Sequence, residues 1–254
     1  ATNAGAGGDI ASVSAQDGVV FATYGYAHPG GETTVGALNA TDGRKLWEFT
    51  PPQPLWNFVP MFTRDSSLVF QNWNGDVFHL RAGDGQLLWQ VLREAPTWTD
   101  GGVMLDREGG MVYAVHADSF IDTLGPAMTS DISAYRLADG GLVWRHHYPT
   151  PPNSWAAVAR MGEAGRRTVL FPYGGQAYQS PLAWLWERLP KIPVLRAATY
   201  FAYLGLGSWG PWLASRLLGM HAGWPNGVTA FEPDTGAVRW QWELPDYPGV
   251  EVRG

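Results

Sequence analysis

Apolar and polar residues alternate in short runs along most of the chain, and one such run recurs four times. The segments Val35–Trp47, Val77–Trp89, Ile132–Trp144 and Val228–Trp240 align without gaps. Each carries a glycine four residues before its tryptophan: Gly43, Gly85, Gly140 and Gly236 before Trp47, Trp89, Trp144 and Trp240. Asp42, Asp84 and Asp139 precede three of these glycines, and Thr235 precedes the fourth. Leu38, Leu80, Tyr135 and Phe231 stand five residues before them. An alternating run is a half-buried strand, because successive side chains point to opposite faces. Asp-Gly or Thr-Gly then predicts a tight turn in which glycine takes a positive φ. A second strand follows each turn, at Lys45–Phe49, Leu87–Val91, Leu142–His146 and Val238–Trp242.

A further strand precedes each unit, at Val19–Tyr24, Ser67–Gln71, Met111–Val115 and Thr168–Phe171. A weaker one comes before that, at Asp9–Ser14, Trp56–Phe62, Trp98–Leu105 and Trp155–Ala159. Four antiparallel strands in about 40–45 residues are the size of one propeller blade. The fold class expected is therefore all-β, a β-propeller of four-stranded antiparallel blades with four blades visible. The blades are placed at about 9–50, 54–92, 96–148 and 153–243 of a single domain spanning 1–254. Residues 244–254 read as the start of a further strand or a tail, and both ends read as interrupted.

The repeat is not uniform. Successive repeat tryptophans are 42, 55 and 96 residues apart. The second interval holds extra residues around 119–130, and the third holds an excess placed at 176–226. This insertion differs in character. Ser180-Pro181 is a helix start, and Leu182, Leu185, Trp186 and Leu189 follow at helical spacing. The expectation is a helical, aromatic insertion in the last blade. Trp184, Trp186, Tyr200, Tyr203, Trp209, Trp212 and Trp224 belong to it, and no repeat demands them. They are the candidate contacts with a protein partner or a membrane interface. The 19 residues from Ala197 to Ser215 carry no formal charge, but Gly205, Gly207, Gly210 and Pro211 interrupt them.

Composition narrows the chemistry. The chain has 14 Trp, 32 Gly and no Cys in 254 residues, so most of its aromatic bulk needs a place outside the four repeat positions. The absence of Cys removes disulfides, thiolate metal sites and a Cys nucleophile. A formal net charge of −6 argues against a nucleic-acid partner. The N-terminus has neither the basic nor the apolar region of a signal peptide. Gly205-Leu-Gly-Ser-Trp-Gly210 spells a dinucleotide fingerprint, but the βαβ setting it needs is missing. Asn39-Ala-Thr41 spells a glycosylation sequon that the strand end and turn already explain. Asn72-Trp-Asn-Gly-Asp76 resembles part of a calcium loop, yet Asn74-Gly75 explains it as a hairpin turn. His146 and His147 are adjacent on a strand and face opposite ways.

The pattern Ala-Leu-Asn-Ala-Thr-Asp-Gly-Arg-Lys-Leu-Trp at 37–47 resembles the repeat of PQQ-type β-propellers, the quinoprotein alcohol dehydrogenase-like fold. The resemblance covers residues 9–175 and 226–249. It implies that each repeat tryptophan packs between neighbouring blades. It also implies an extracytoplasmic setting, periplasmic or lumenal, with a membrane-peripheral position compatible. It does not fix a function, since propellers host many. The leading expectation is a non-catalytic scaffold or assembly subunit that docks a protein partner through 176–226, with no cofactor. The alternative is a PQQ-dependent dehydrogenase, or a relative or fragment of one, holding PQQ and calcium. No cofactor residue of that family transfers to a position here. Asp65, Asp106, Asp122 and Glu163 are acidic residues outside the repeat that remain for such a role. A weaker alternative is carbohydrate or polymer binding through Trp56, Trp98 and Trp155, placed on a rim or channel.

Overall fold

The computed structural model describes residues 12–25, 31–94, 97–99, 102–118, 130–148, 155–173 and 227–243. It also describes the isolated positions 192, 194, 195, 198 and 202. The described chain folds into four antiparallel sheets, each a meander in sequence order. The first contains β1 (Val13–Gln16), β2 (Val19–Tyr24), β3 (Thr34–Asn39) and β4 (Lys45–Phe49). The second contains β5 (Met61–Phe62), β6 (Ser67–Gln71), β7 (Val77–Arg81) and β8 (Leu87–Val91). In the third, the short β9 (Thr97–Trp98) joins β10 (Met104–Asp106), β11 (Met111–Asp118), β12 (Ser130–Arg136) and β13 (Leu142–Tyr148). The fourth contains β14 (Ala157–Met161), β15 (Arg166–Tyr173), β16 (Gly227–Phe231) and β17 (Val238–Glu243).

The repeat acts identically in each sheet. The four glycines sit at φ +70 to +73°, a region open to glycine at little cost. The residue before the glycine holds the turn through its side chain. Asp42, Asp84 and Asp139 accept the N–H of Arg44, Gln86 and Gly141 at 3.0, 3.0 and 2.8 Å, and Thr235 accepts that of Ala237 at 3.3 Å. This is the local side-chain capture that Asp and Thr perform at turns. Each third-to-fourth strand pairing then slips by one residue, between Ala37/Leu38, His79/Leu80, Ala134/Tyr135 and Ala230/Phe231. The slip sits just beside the turn, as bulges that re-aim a side chain do.

Successive sheets are joined by the repeat tryptophans. The Trp47 indole N–H donates to the Ala82 carbonyl at 2.9 Å, Trp89 to Leu137 at 2.7 Å and Trp144 to Pro233 at 2.7 Å. In every case the acceptor lies three residues before the next sheet's turn glycine. The ring lies over that glycine, where an added Cβ would come within 2.7 Å of Trp47, 2.8 Å of Trp89 or 2.6 Å of Trp144. The spacing in sequence is thus a spacing between sheets. Three apolar cores fill the joints: Phe21 with Phe70 and Phe78, Val69 with Val112 and Tyr135, and Tyr113 with Phe171 and Phe231. The first strands of neighbouring sheets touch, β10 against β5 and against β14. They therefore lie inward, and β4, β8, β13 and β17 form the outer edges.

Three expectations are not borne out as read. Trp240 does not pack as its counterparts do: it is 44% exposed, against 8–9% for Trp47, Trp89 and Trp144. The reason is that no described sheet follows the fourth. The helical reading of 176–226 is not borne out. The described residues contain no helix element, and only the single positions Val194, Leu195, Ala198 and Ala202 have helical backbone there. The rest of that insertion and residues 244–254 lie outside the described residues. The first strands also differ from expectation. β1, β5 and β14 start two to five residues later than read, because these inner strands carry little alternation to mark their limits. Among the described residues no helix is long and apolar enough to cross a membrane.

Candidate functional site

The sheets have two faces. One carries the short hairpin turns and repeat glycines. The other carries the connections that vary in length, with the buried Gln71, Asn72, Asp76 and His116 beside them. The link Asn72–Asp76 between β6 and β7 is a closed turn, with the Gly75 N–H donating to the Asn72 carbonyl at 3.0 Å. Gly75 has φ +83°, and a Cβ there would lie 2.8 Å from the His116 Cβ. The Asn72 amide donates to Asp76 at 2.7 Å, and the other Asp76 oxygen accepts the Arg93 N–H at 2.7 Å. The Asp76 carboxylate is therefore occupied in tying the turn to the exit of β8. Gln71 extends the tie to the third sheet by donating to the Val115 carbonyl at 2.7 Å.

Beside this turn, three polar residues lie in a row across the third sheet. His116 on β11 pairs in register with Asp131 on β12, and Asp131 pairs with His147 on β13. Residues directly opposite on adjacent strands share a face, so the row is set by register alone. His147 Nδ1 lies 2.8 Å from one Asp131 oxygen. His116 Nε2 lies 3.4 Å from the other, poorly aligned, and neither ring nitrogen of His116 has a hydrogen-bond partner. Arg145 approaches the same carboxylate at 3.7 Å. Burial pushes the Asp131 carboxyl up, but the facing His116 and His147 outweigh it and hold it at about 2. Burial pushes the His116 imidazole below its ordinary value, with Asp131 opposing. The buried Gln71 Oε1 and Arg93 Nε are likewise without partners. Such atoms are normally satisfied by ordered water or a small polar molecule.

These titrations have a definite sign. Burial lowers the pKa of His79 and His146 as well as His116. An imidazole with a lowered folded pKa takes its proton more readily in the unfolded chain. Stability is therefore full above the ordinary histidine value of about 6.5 and falls as pH drops below it. The depressed Asp131 acts lower: its contribution is present above the ordinary value of about 4 and lost as pH falls toward its folded value. The melting temperature is expected to hold from pH 8 to 7 and to drop by several degrees between pH 6.5 and 5. His116→Gln is expected to shrink that drop. A melting temperature unchanged down to pH 5 would contradict the assignment.

The sequence-selected residues fall in different places. Gly43, Gly85, Gly140 and Gly236, with Trp47, Trp89 and Trp144, form the turns and joints. Trp184, Trp186, Tyr200, Tyr203, Trp209, Trp212 and Trp224 lie outside the described residues, as does Asp122. Trp56 packs against Trp73 at 5.5 Å between ring centroids, and Trp155 is partly exposed beside Gly102. Asp65 is held by Thr63 and by Ser67, the latter at 3.1 Å. Asp106 is buried and pairs with Arg167 of the fourth sheet, which also reaches Asp234 at 3.0 Å. Glu163 is exposed. His116, Asp131 and Gln71 were not singled out by the sequence reading. Their signal was a polar residue in or directly beside a buried strand run.

A calcium and quinone site can be tested on these donors. Asp76, Asp106 and Asp131 are each engaged by an amide, an arginine or a histidine. Among the described residues no three His or acidic side chains lie close enough to hold a metal. The described donors therefore do not by themselves fit a calcium site. A different surface is prominent. The outer strands expose Leu46, Leu87, Leu88, Leu142, Val143 and Val238, all between 37 and 50%. They stand two or three residues after the repeat glycine in each sheet, on strands whose outer hydrogen-bonding edge is unpaired.

Comparisons with known proteins agree with this architecture. No curated protein matches the chain. Among solved structures, a europium-containing methanol dehydrogenase superposes with a TM-score of 0.59 at 14% identity, covering 96% of this chain and 44% of that one. The quinohemoprotein alcohol dehydrogenase of Comamonas testosteroni superposes with a TM-score of 0.53 at 13% identity, covering 91% and 34%. The chain thus spans less than half the length of these relatives, and the likeness is one of fold. The family model described as outer membrane protein assembly factor BamB matches residues 2–179. With that match over more than half of its length, the chain belongs to this family of PQQ-like β-propellers.

Proposed function

We propose that the chain is a protein-docking scaffold of an extracytoplasmic, membrane-peripheral assembly. The observation that carries this reading is the band of exposed Leu and Val side chains along the outer strands. Water-facing edge strands usually carry charges that keep other chains away. Here β8 reads Leu-Leu-Trp-Gln-Val with no charge at all. An apolar edge with unpaired backbone groups is the surface to which a partner adds a strand. The family's description as an outer membrane protein assembly factor supports both the role and the setting. The insertion at 176–226 stays part of the proposal as a second contact.

A second reading, a quinone-dependent oxidoreductase, draws on the His116–Asp131–His147 row, which runs from the buried His116 to the exposed His147. One experiment separates the two. Adding PQQ with calcium is expected to shift the melting temperature by less than about 1 °C, because a ligand that does not bind the folded state does not stabilise it. A rise of several degrees would overturn the scaffold reading. In parallel, Leu88→Lys and Leu142→Lys are expected to abolish cross-links to partner proteins on the outer strands while leaving the melting temperature within about 2 °C.

A further inference from the structure

The second sheet departs from the repeat at one position, and that position lies beside its joint tryptophan. In the other three sheets an alanine pairs in register with the repeat tryptophan: Ala37 with Trp47, Ala134 with Trp144 and Ala230 with Trp240. The next residue in each row is large, because Phe21, Tyr113 and Leu170 pair with those alanines. Residues opposite on adjacent strands share a face. Phe21 and Tyr113 accordingly meet Trp47 and Trp144, each at 5.8 Å between ring centroids. In the second sheet the sizes are exchanged: Val69 pairs with His79, and His79 pairs with Trp89. The ring beside the tryptophan is now an imidazole, in a T-shaped contact at 5.1 Å. The exchange moves the bulk from the second strand to the third and makes it ionisable.

His79 is 4% exposed. Its Nε2 lies 2.6 Å from Ser67 Oγ, which donates to Asp65 at 3.1 Å and lies 2.5 Å from Thr63 Oγ1. Its Nδ1 is buried without a partner. Val69, Val77, Val103, Leu105 and Val112 fill the joint around Trp89, and Tyr135, a phenol, is the titratable side chain of that core. On β7 itself Arg81 stands two residues on, paired with Asp84 at 2.9 Å. Asp65 is the charge that acts on His79, and it does so from the Ser67 side alone. A proton added to the imidazole places a charge in an apolar joint and leaves a buried N–H with no acceptor. Burial accordingly holds His79 below its ordinary value, with Asp65 opposing. We propose that His79 is a proton-operated latch on the joint between the second and third sheets. Neutral, it keeps Trp89 seated over Gly140 and bonded to Leu137; protonated, it releases that indole, while the first joint, with Phe21 beside Trp47, stays shut. In the open state the imidazole meets water and regains its ordinary value of about 6.5, so opening is favoured below that pH and unchanged above it. This latch rests on neither the docking nor the quinone reading.

Hydroxyl-radical footprinting of the full chain between pH 7.5 and 5 tests it, read as the oxidation of Trp89 relative to Trp47. The ratio is expected to rise about fivefold or more, since one proton taken up on opening changes the equilibrium by up to about tenfold per pH unit. His79→Gln keeps a polar partner for Ser67 but does not titrate, and is expected to flatten the response. The double variant Val69→Phe/His79→Ala restores the arrangement of the other sheets and is expected to do the same. Protection of Trp89 at pH 7.5 in either variant shows that the joint has formed. His116 borders the same two sheets from β11, so His116→Gln is the control and is expected to leave the Trp89 response in place. A constant ratio in the unaltered chain would overturn the inference. So would a response that survives both His79 variants, one that His116→Gln abolishes, or a parallel rise at Trp47, which would mark unfolding of the whole chain.

Discussion

Trp144→Ala is expected to destabilise the fold by about 3–5 kcal/mol, the range for truncating a large buried aromatic. The same change at Trp240, measured in dilute monomer, is expected to cost under about 1 kcal/mol. The two residues hold identical places in the repeat, so propensity and strand position cancel in the comparison. What differs is the next sheet. Trp144 is 8% exposed, donates to the Pro233 carbonyl at 2.7 Å and meets Tyr113 and Phe231 at 5.8 and 5.5 Å between ring centroids. Its removal leaves a cavity between sheets three and four and an unsatisfied buried carbonyl, and these two penalties add. Trp240 is half in water and leaves neither. Chemical denaturation of both variants reads the difference directly, and equal losses would mean that the joints do not hold the sheets together.

Gly140→Ala is the second large effect. At φ +71° an alanine is strained by about 1–2 kcal/mol. Its Cβ would also lie 2.8 Å from the Trp89 ring, and forcing apart a packed contact adds about 1–3 kcal/mol. Gly43 has nearly the same φ, +70°, but open space around it. Gly43→Ala in dilute monomer therefore carries the strain alone, and Gly140→Ala should exceed it by about 1–3 kcal/mol. The strain is common to both sites, so the difference isolates the joint. Equal losses would show that the glycine serves only its turn.

The fold was legible because its unit is short and its key residues are unusual. A turn glycine and a tryptophan four residues later recur four times, and the structure shows two reasons for that spacing. One is the turn within the sheet, which the sequence displays. The other is the ring of one sheet lying over the glycine of the next. No single repeat shows this second reason, since the two residues that touch belong to neighbouring copies: Trp47 meets Gly85, not Gly43. The same fact explains the misreading of Trp240, which holds the repeat position but has no described sheet after it. The inner strands were placed less well. β5 is two residues long and β9 likewise, and such segments are defined by pairing to β6 and β11 rather than by their own pattern.

The polar row across the third sheet was hidden for a related reason. His116, Asp131 and His147 are far apart in sequence and meet only through register across β11, β12 and β13. Adjacent His146 and His147 drew attention instead. The strand sends them to opposite sides, as the alternation requires: His146 packs on Tyr148 and Phe231, and His147 binds Asp131. Sequence spacing finds chemistry that lies along one element. It does not find chemistry assembled across strands unless the pairing is already known.

The central claim is that three tryptophans are buried in joints between sheets while a fourth, at the same repeat position, is half exposed with no described sheet after it. Hydroxyl-radical footprinting of the dilute chain, read by mass spectrometry at each tryptophan, tests it most directly. Trp240 is expected to oxidise readily and Trp47, Trp89 and Trp144 to be protected. Equal protection of all four in dilute solution, or ready oxidation of Trp144, would contradict the account.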